Sequence, residues 1–254
     1  MPGAEMTARR PLLAIDTSTL AAGLALYAAE GLVAEIGWPA GRAQTTAILR
    51  EIDRLLGLAE LRPADLGAVA VAIGPGSFNG LRVGLSTAKG LAYALDLPLL
   101  GIPTLDAVAY PHGRQGRPVR AVIAAGRGRY VSAPYRWQDG AARRVGAFAN
   151  TTLEELGGLL AEPTILCGEL PAAPPGRWDD LAPQAQLVSP TLNARRAACL
   201  AEIAWARHDR GERDDPVALE PIYLHGPSRG RTEGSTQDDA GRIAAGDDQP
   251  LPQP

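Results

Sequence analysis

Lysine and cysteine are almost absent from this sequence of 254 residues. Lys89 is the only lysine, so arginine carries nearly all of the positive charge. The two cysteines, Cys167 and Cys199, lie far apart and form no Cys-x-x-Cys pair, which argues against a disulfide framework and against a zinc knuckle. Their expected role is that of small thiols in the core.

Histidine and net positive charge are also scarce. The three histidines, His112, His208 and His225, lack the i, i+4 spacing of a helical metal site, so no metal ligands are predicted. The net charge of −3 and the pI near 5.7 argue against a chain that binds nucleic acid by itself, since neutralisation of phosphates dominates such binding.

Long apolar runs are missing as well. No segment approaches the ~20 residues of a membrane span, and no signal-peptide hydrophobic region follows residues 1–10, which are predicted to be a flexible extension. Residues 226–254 have very few apolar side chains and are predicted to be a disordered tail, because they cannot bury enough surface to offset the entropy of ordering. A cytoplasmic protein with no membrane partner is expected.

The apolar pattern at the start of the chain predicts a three-stranded meander. Its strands cover residues 12–18, 23–27 and 32–36, and a short turn at residues 29–31 joins the last two. The first strand ends in Asp16, Thr17 and Ser18, an acid followed by two hydroxyls. A helix follows, because Ile48, Leu49, Ile52, Leu55 and Leu56 form one apolar stripe.

A glycine-rich loop at residues 74–84 follows a continuous apolar run at 68–73, which is typical of a strand buried in a parallel sheet. The loop opens a helix over about residues 80–95, so its glycines and the helix N-terminus could approach a phosphate. A plain turn, with Ser77 or Asn79 capping the helix, explains the same residues. The sequence of the loop is compatible with a phosphate site and with a plain turn.

The remaining apolar segments complete the predicted order of elements. A short strand at 99–101 and a helix near 105–110, capped by Thr104, end the first half. In the second half, residues 119–128, 130–136 and 164–168 have strand-like patterns. A long helix is predicted from Ala194 to Arg207, starting at Asn193 and stopping before Gly211.

The order strand, strand, strand, helix, strand, helix, strand, helix resembles one lobe of the actin-like (sugar kinase/Hsp70-type) ATPase superfold, an α/β fold. The segments Ile15-Asp16-Thr17-Ser18, Gly74 to Gly84 and Gly101 to Leu105 resemble the bacterial TsaB family, also called YeaZ. The loop has Asn79 where the family usually has threonine. The match covers residues 11–110 well. The implied division is a first lobe at 11–110 and a reduced second lobe at 111–225, which Pro221 to Leu224 close.

This resemblance implies a non-catalytic scaffold subunit for N6-threonylcarbamoyladenosine formation in tRNA. Such a subunit pairs with a TsaD-type catalytic subunit and a TsaE-type ATPase, and the modified adenosine lies beside the anticodon. ATP and Mg²⁺ are expected to belong to those partners, tRNA is expected to be met only through the complex, and a homodimer is expected when the chain is alone.

The residues of an ATP site are only partly present. Asp16, Thr17, Ser18, Gly74, Gly76 and Ser77 are the candidates for a vestigial nucleotide site. An ATPase of this superfold needs carboxylates on both lobes to hold Mg²⁺ and orient water. Ala124 stands where the second acid usually follows its strand, which disfavours the main alternative, an ATP-dependent small-molecule kinase or ATPase. No catalytic residue is predicted. A third reading is a homodimer with an unrelated interaction role.

The helix at 80–95 has an apolar face wider than the ~100° that an ordinary surface helix buries. Its polar residues Arg82, Ser86 and Lys89, together with Tyr93, fall on one narrow stripe. The extra apolar width is covered either by the neighbouring helix or by a partner. The predicted partner interface comprises Ile48, Ile52, Gly80, Val83, Gly84, Thr87, Ala88 and Leu91.

Overall fold

The computed structural model describes residues 10–39, 44–170 and 184–224 and contains two mixed β-sheets with helices on their faces. The predicted extension at 1–10 lies outside this part except for Arg10, and the predicted tail at 226–254 lies wholly outside it. In the described ranges no helix is both long and apolar enough to cross a membrane.

The first sheet contains the predicted meander. Strands β1 (Leu12–Asp16), β2 (Ala21–Ala28) and β3 (Gly31–Pro39) are antiparallel neighbours. Strands β4 (Ala68–Gly74) and β5 (Leu99–Pro103) extend the sheet in parallel, giving the order β3-β2-β1-β4-β5. Strands β1 and β4 are buried along nearly their whole length, as their continuous apolar runs predict.

Two helices pack on one face of the first sheet. They are α1 (Gln44–Leu58) and α2 (Phe78–Leu95), and a 3-10 turn, Pro63–Asp65, precedes β4. The apolar stripe of α1 contributes Ile48, Ile52, Leu55 and Leu56 to a core that it shares with Leu85, Ala88 and Ala92 of α2. The spacing of these residues places them on one side of each helix, and burial of that side stabilises the helices.

The opposite face of the first sheet is covered by α3 (Thr104–Ala109) and by α5 (Ala197–Asp209). Leu200, Ala201 and Ala204 of α5 pack against the small residues of β1, β2 and β4. The chain thus returns to the first sheet after it has built the second one. The division into lobes at residue 110 stays a prediction. The helix α5 lies within residues 111–225 of the chain, yet it packs on the first sheet.

The second sheet has the order β11-β10-β6-β7-β8, with β9 also paired to β7. Its strands are β6 (Val119–Gly126), β7 (Arg129–Gln138), β8 (Ala141–Arg144), β9 (Ala149–Thr151), β10 (Thr164–Gly168) and β11 (Ala185–Leu187). The 3-10 segment Tyr110–Gln115 leads into this sheet, and α4 (Leu153–Gly158) connects β9 to β10. The second-half strands that the apolar pattern predicts are all present.

The last described residues fasten the chain to the first sheet. The Asp214 carboxylate accepts a hydrogen bond from the Gly101 backbone at 2.7 Å, and Arg207 of α5 donates to the carbonyl of the same glycine at 2.9 Å. Further on, the backbone N–H of Ile222 donates to the carbonyl of Ile73 at 2.7 Å. The segment from Pro221 to Leu224, predicted to close the second lobe, therefore covers the end of β4.

Two predicted helix starts are wrong. Thr104 is the first helical residue of α3 rather than its N-cap, because Pro103 has the extended conformation of the cap. Asn193 does not cap α5. Its side-chain amide instead pairs with both backbone polar groups of Gly168 at 2.6 Å, and the helix begins four residues later, at Ala197. Local sequence cannot show that a strand end 25 residues away competes for this amide.

Candidate functional site: the cleft beside Asp16

The tip of β1 is buried and bonded within the chain. Asp16, Thr17 and Ser18 are at most 3% exposed. The Asp16 carboxylate accepts from the Ser18 hydroxyl at 2.7 Å and from the Ser18 backbone at 3.1 Å, while the Thr17 hydroxyl donates to the carbonyl of Gly80 at 2.7 Å. Asp16 is therefore an acid that hydrogen-bonds the turn after its own strand, as is common for aspartate.

The second oxygen of Asp16 is bonded to Arg195. The guanidinium donates to Asp16 Oδ2 at 3.0 Å through Nε and at 2.5 Å through Nη2, and Nη2 also reaches the Ser18 hydroxyl at 2.7 Å. The arginine side chain is 11% exposed and that of the acid 3%. In this buried ion pair, two nitrogens of the guanidinium bind the carboxylate, so the cation beside Asp16 is a side chain of the protein itself. Sequence analysis missed Arg195.

The glycine loop approaches the tip of β1. A Cβ atom on Gly76 would overlap the carbonyl of Ser18, and one on Gly84 would overlap the hydroxyl of Thr17. Ser77 caps α2 by accepting from Gly80 N, and its own N–H donates to the carbonyl of Ser18 at 2.6 Å. These glycines therefore permit close packing within the chain, and the capping interpretation of Ser77 is confirmed.

A cleft lies beside this cluster. Its inner part is a cavity of about 210 Å³ that opens near Asp16 and Arg195. A wider outer groove of about 850 Å³ shares Ala21, Glu169, Ala194 and Arg195 with it. Gly74 lines neither cavity. Its φ of +105° explains why a glycine stands where the strand gives way to the loop.

The cleft contains an acid from the second sheet that sequence analysis missed. Glu169, directly after β10, accepts a hydrogen bond from the backbone N–H of Ala124 at 3.2 Å. It lines the same cavity as Asp16. Ala124 indeed supplies no carboxylate, but Glu169, which follows the neighbouring strand, brings an acid to the wall of the cavity that Asp16 also lines. Only the pairing of β10 with β6 brings Glu169 to this position.

Burial favours the neutral forms of two further groups that line the cavity, His112 and Cys199. Burial lowers the pKa of His112, and it raises the pKa of Cys199 to about 11. Cys167 is fully buried in the second sheet and lies outside the cavity, so the core role expected of it is confirmed. Among the residues that the structure describes, no group of three or more His, Cys, Asp or Glu residues could hold a metal ion.

The predicted partner interface divides into two groups. Five of its residues, Ile48, Ile52, Gly80, Gly84 and Ala88, are buried inside this chain. They pack on the first sheet or between the two helices, so they cannot touch a partner, and this part of the prediction is wrong. The remaining three, Val83, Thr87 and Leu91, are half-buried. Much of the extra apolar width of α2 is thus covered within the chain.

Several exposed apolar side chains lie on the same two helices. Leu49 and Leu58 of α1 are 60% and 65% exposed, and Tyr93 of α2 is 92% exposed. At the start of α2, Phe78 is 51% exposed and lies under the Arg82 guanidinium, which is 3.7 Å from the ring centre. The described part of the chain leaves these side chains largely exposed, in contrast to the buried face of the same helices.

The two mixed sheets, the flanking helices and the cleft define an α/β protein of the actin-like ATPase fold, as predicted. The family model described as "TsaD: tRNA N6-adenosine threonylcarbamoyltransferase" matches residues 35–167, just over half of the chain. This match, together with the similarity to TsaB proteins and to the YeaZ structure, shows that the chain belongs to that family and, within it, to the TsaB (YeaZ) group.

The TsaB protein of Bacillus subtilis is 29% identical over 144 residues, which are 57% of this chain and 63% of that protein. The TsaB protein of Haemophilus influenzae is 44% identical over 98 residues, which are 39% and 41% of the two chains. The chain thus spans about half the length of these curated relatives. The structure of YeaZ from Pseudomonas aeruginosa, 27% identical, superimposes with a TM-score of 0.67 over 85% of this chain and all of that one.

Proposed function

We propose that this chain is a non-catalytic subunit of the machinery that forms N6-threonylcarbamoyladenosine in tRNA. The relatives from B. subtilis and H. influenzae are named tRNA threonylcarbamoyladenosine biosynthesis proteins, and the family model is named for the transferase itself. In this proposal the chain pairs with a TsaD-type catalytic subunit and works alongside a TsaE-type ATPase. It forms a homodimer when no partner is present.

The observation that carries the non-catalytic role is the ion pair between Asp16 and Arg195. A Mg²⁺ ion at this position would need the carboxylate that Arg195 already binds at two points. The buried guanidinium also repels a cation. Five of the residues proposed as a vestigial nucleotide site therefore serve to join β1 to the loop before α2: Asp16, Thr17, Ser18, Gly76 and Ser77. The sixth, Gly74, lets β4 turn into that loop.

The partner surface is proposed to lie on the outer sides of α1 and α2. Val83, Thr87 and Leu91 provide its half-buried base, and the exposed side chains Leu49 and Tyr93 provide contact area. Burial of such exposed apolar side chains against a partner would favour association, because it removes apolar surface from water.

Co-purification tests this role. A tagged chain is expected to retain a TsaD-type protein from the same cell, and depletion of the chain is expected to remove the modified adenosine from tRNA, as measured by mass spectrometry of nucleosides. Leu49→Arg and Tyr93→Arg, made separately, are each expected to weaken retention by at least tenfold, because each places a charge in an apolar contact.

Val217→Arg is the matched control, since Val217 is 87% exposed on a different segment and should tolerate the charge. All three variants can be checked for folding by circular dichroism. Normal levels of the modified nucleoside in cells without the chain would overturn the proposed function. Unchanged retention of the partner by both helix variants would instead move the interface to another surface.

The second candidate function, an ATPase or small-molecule kinase, is favoured by one observation. Glu169 supplies a second carboxylate to the cleft beside Asp16. An ATPase would require the carboxylates of Asp16 and Glu169 to be available to a metal ion and to water, whereas a non-catalytic subunit would not.

We expect the purified chain to hydrolyse ATP with Mg²⁺ no faster than a buffer blank, as measured by phosphate release. Glu169→Gln is the informative variant, because the half-buried Glu169 side chain accepts a hydrogen bond from the backbone of Ala124, which a glutamine oxygen can still accept, so the fold is expected to survive the change. Asp16→Asn is unsuitable, since it would leave Arg195 buried without its counter-charge. Turnover that Glu169→Gln abolishes would establish the enzyme and remove the non-catalytic role.

A further inference from the structure

Positive charge is concentrated in one part of this acidic protein. Between positions 110 and 150 there are eight arginines and a single acidic residue, Asp139, although the whole chain has a net charge of −3. The eight are Arg114, Arg117, Arg120, Arg127, Arg129, Arg136, Arg143 and Arg144. This segment runs from the 3-10 turn before the second sheet to its edge strand β8 and then to β9. The net charge of the chain therefore conceals a strongly basic region.

The hairpin of β7 and β8 carries three of these arginines, Arg136, Arg143 and Arg144, where the two strands pair. Arg136 lies directly opposite Arg143 on one face, and Arg144 lies opposite the buried Tyr135 on the other. All three arginines are exposed. Like charges placed directly opposite each other in an antiparallel pair are destabilising, so folding alone does not favour the pairing of Arg136 with Arg143.

Protein carboxylates neutralise little of this charge. Arg136 forms a salt bridge with Glu162, whereas Arg114, Arg143 and Arg144 form none with any residue in the described ranges. Burial raises the pKa of the Asp106 carboxyl, while the hydrogen bond with Tyr135 and the nearby Arg144 lower it by less. The basic surface thus keeps most of its charge available to an external anion.

Aromatic side chains hold two of the guanidinium groups in place. Arg114 lies over the ring of Trp137 at 5.3 Å, and Arg144 lies over Phe148 at 4.2 Å. Trp137 itself packs so closely on Gly113 that a Cβ at Gly113 would overlap its ring. A stacked guanidinium keeps its N–H groups directed outward at a reduced entropic cost, which suits two-point binding of phosphate oxygens.

From this arrangement we infer that the hairpin surface, Arg114, Arg136, Arg143 and Arg144, binds the phosphate backbone of RNA. One face of the hairpin packs on the 3-10 segment at Gly113, so its arginines reach a ligand along the exposed edge, with Arg136 and Arg143 on one side and Arg144 on the other. Guanidinium groups on two sides of an edge fit the two rows of phosphates that flank an RNA groove. A flat anionic membrane would meet one face only. The inference rests on the proposed function for its choice of RNA, and it adds a direct contact to a chain that was expected to meet tRNA only through its complex.

The test is fluorescence anisotropy with an unmodified tRNA transcript and the full chain at increasing salt. Binding to phosphates predicts a linear fall of log K with log salt, with a slope of about −0.7 to −0.9 for each phosphate neutralised. The triple variant Arg114→Gln, Arg136→Gln and Arg143→Gln is expected to reduce the magnitude of that slope by about 2 to 3 and to weaken binding at low salt by about tenfold or more. Arg144 is kept because it lies near the buried Asp106.

Two controls make the outcome decisive. Arg210→Gln with Arg213→Gln removes exposed positive charge from the end of α5 and should leave the slope unchanged. Vesicles of phosphatidylglycerol replace the RNA in a second arm. Unchanged RNA binding by the triple variant, an equal loss in the Arg210 and Arg213 control, or binding to vesicles without binding to RNA would each overturn the inference.

This test is separate from that of the proposed function. RNA binding is measured on the purified chain, whereas the subunit role is measured as modified nucleoside in cells. If the triple variant binds RNA as the parent does while depletion still abolishes the modification, only the RNA surface is wrong. If the variant loses RNA binding and depletion leaves the modification intact, only the proposed function is wrong.

Discussion

Replacing Arg195 with methionine is expected to lower the free energy of unfolding by about 3–5 kcal/mol, because it leaves the carboxylate of Asp16 buried without its counter-charge. The carboxylate side chain is 3% exposed and loses two of its hydrogen-bond donors in the variant. Urea denaturation followed by circular dichroism measures the change, provided that the slope of the transition stays constant.

Arg196 is a matched control for Arg195. It also forms a two-bond ion pair with a carboxylate, that of Glu35, but its side chain is 55% exposed. Arg196→Met should therefore cost no more than about 1 kcal/mol. The double variant Asp16→Asn with Arg195→Met should recover much of the lost stability, since no buried charge remains. Equal effects at the two arginines would show that burial does not decide the strength of the pair beside the cleft.

Alanine at Gly84 is expected to destabilise the protein by about 2–4 kcal/mol, the combined cost of overpacking and of a lost buried hydrogen bond. The new methyl group would overlap the Thr17 hydroxyl, which is buried and donates to the carbonyl of Gly80. Thr17 must rotate away to make room, and it then loses this bond. Thermal or urea unfolding of the variant measures the cost.

Gly90 is the control within the same helix. A Cβ at Gly90 meets no atom within 4 Å, and the residue is exposed. Gly90→Ala should raise stability by about 0.5–1 kcal/mol, because alanine loses less backbone entropy than glycine when the helix forms. The two substitutions are chemically identical, so opposite signs would isolate the contact with Thr17. A Gly84→Ala protein as stable as the parent would show that this contact adapts without cost.

The sequence predicted the first sheet well because each of its elements has a local signature. Strands β1 and β4 are short apolar runs, α1 is one apolar stripe, and a glycine loop separates β4 from α2. Asp16 was also recognisable, since an acid at the end of a buried strand is unusual. These features depend on residues that are close in sequence, and hydrophobic periodicity and turn composition describe such short-range patterns.

The chemistry of the cleft depended on distant contacts, and sequence reasoning missed it. Arg195 stands beside Arg196 in a chain rich in arginine, and no local pattern shows which of them reaches Asp16, 179 residues away. Glu169 likewise becomes a cleft residue only because β10 pairs with β6. The interface prediction failed at Ile48 and Ala88 because a wide apolar face does not reveal whether the same chain or a partner covers it.

The first sheet and the helix α5 that packs on it come from distant parts of the chain. Strands β1 to β5 are complete by residue 103, yet the small residues of β1 and β4 are buried by a helix that follows the whole second sheet. The second sheet is therefore an insertion, attached through α3 on one side and α5 on the other. The hairpins of the second sheet can change in length or charge without altering the core of the first sheet. A chain cut near residue 110 would instead lose α5 and expose to water the small residues of β1, β2 and β4 on which that helix packs.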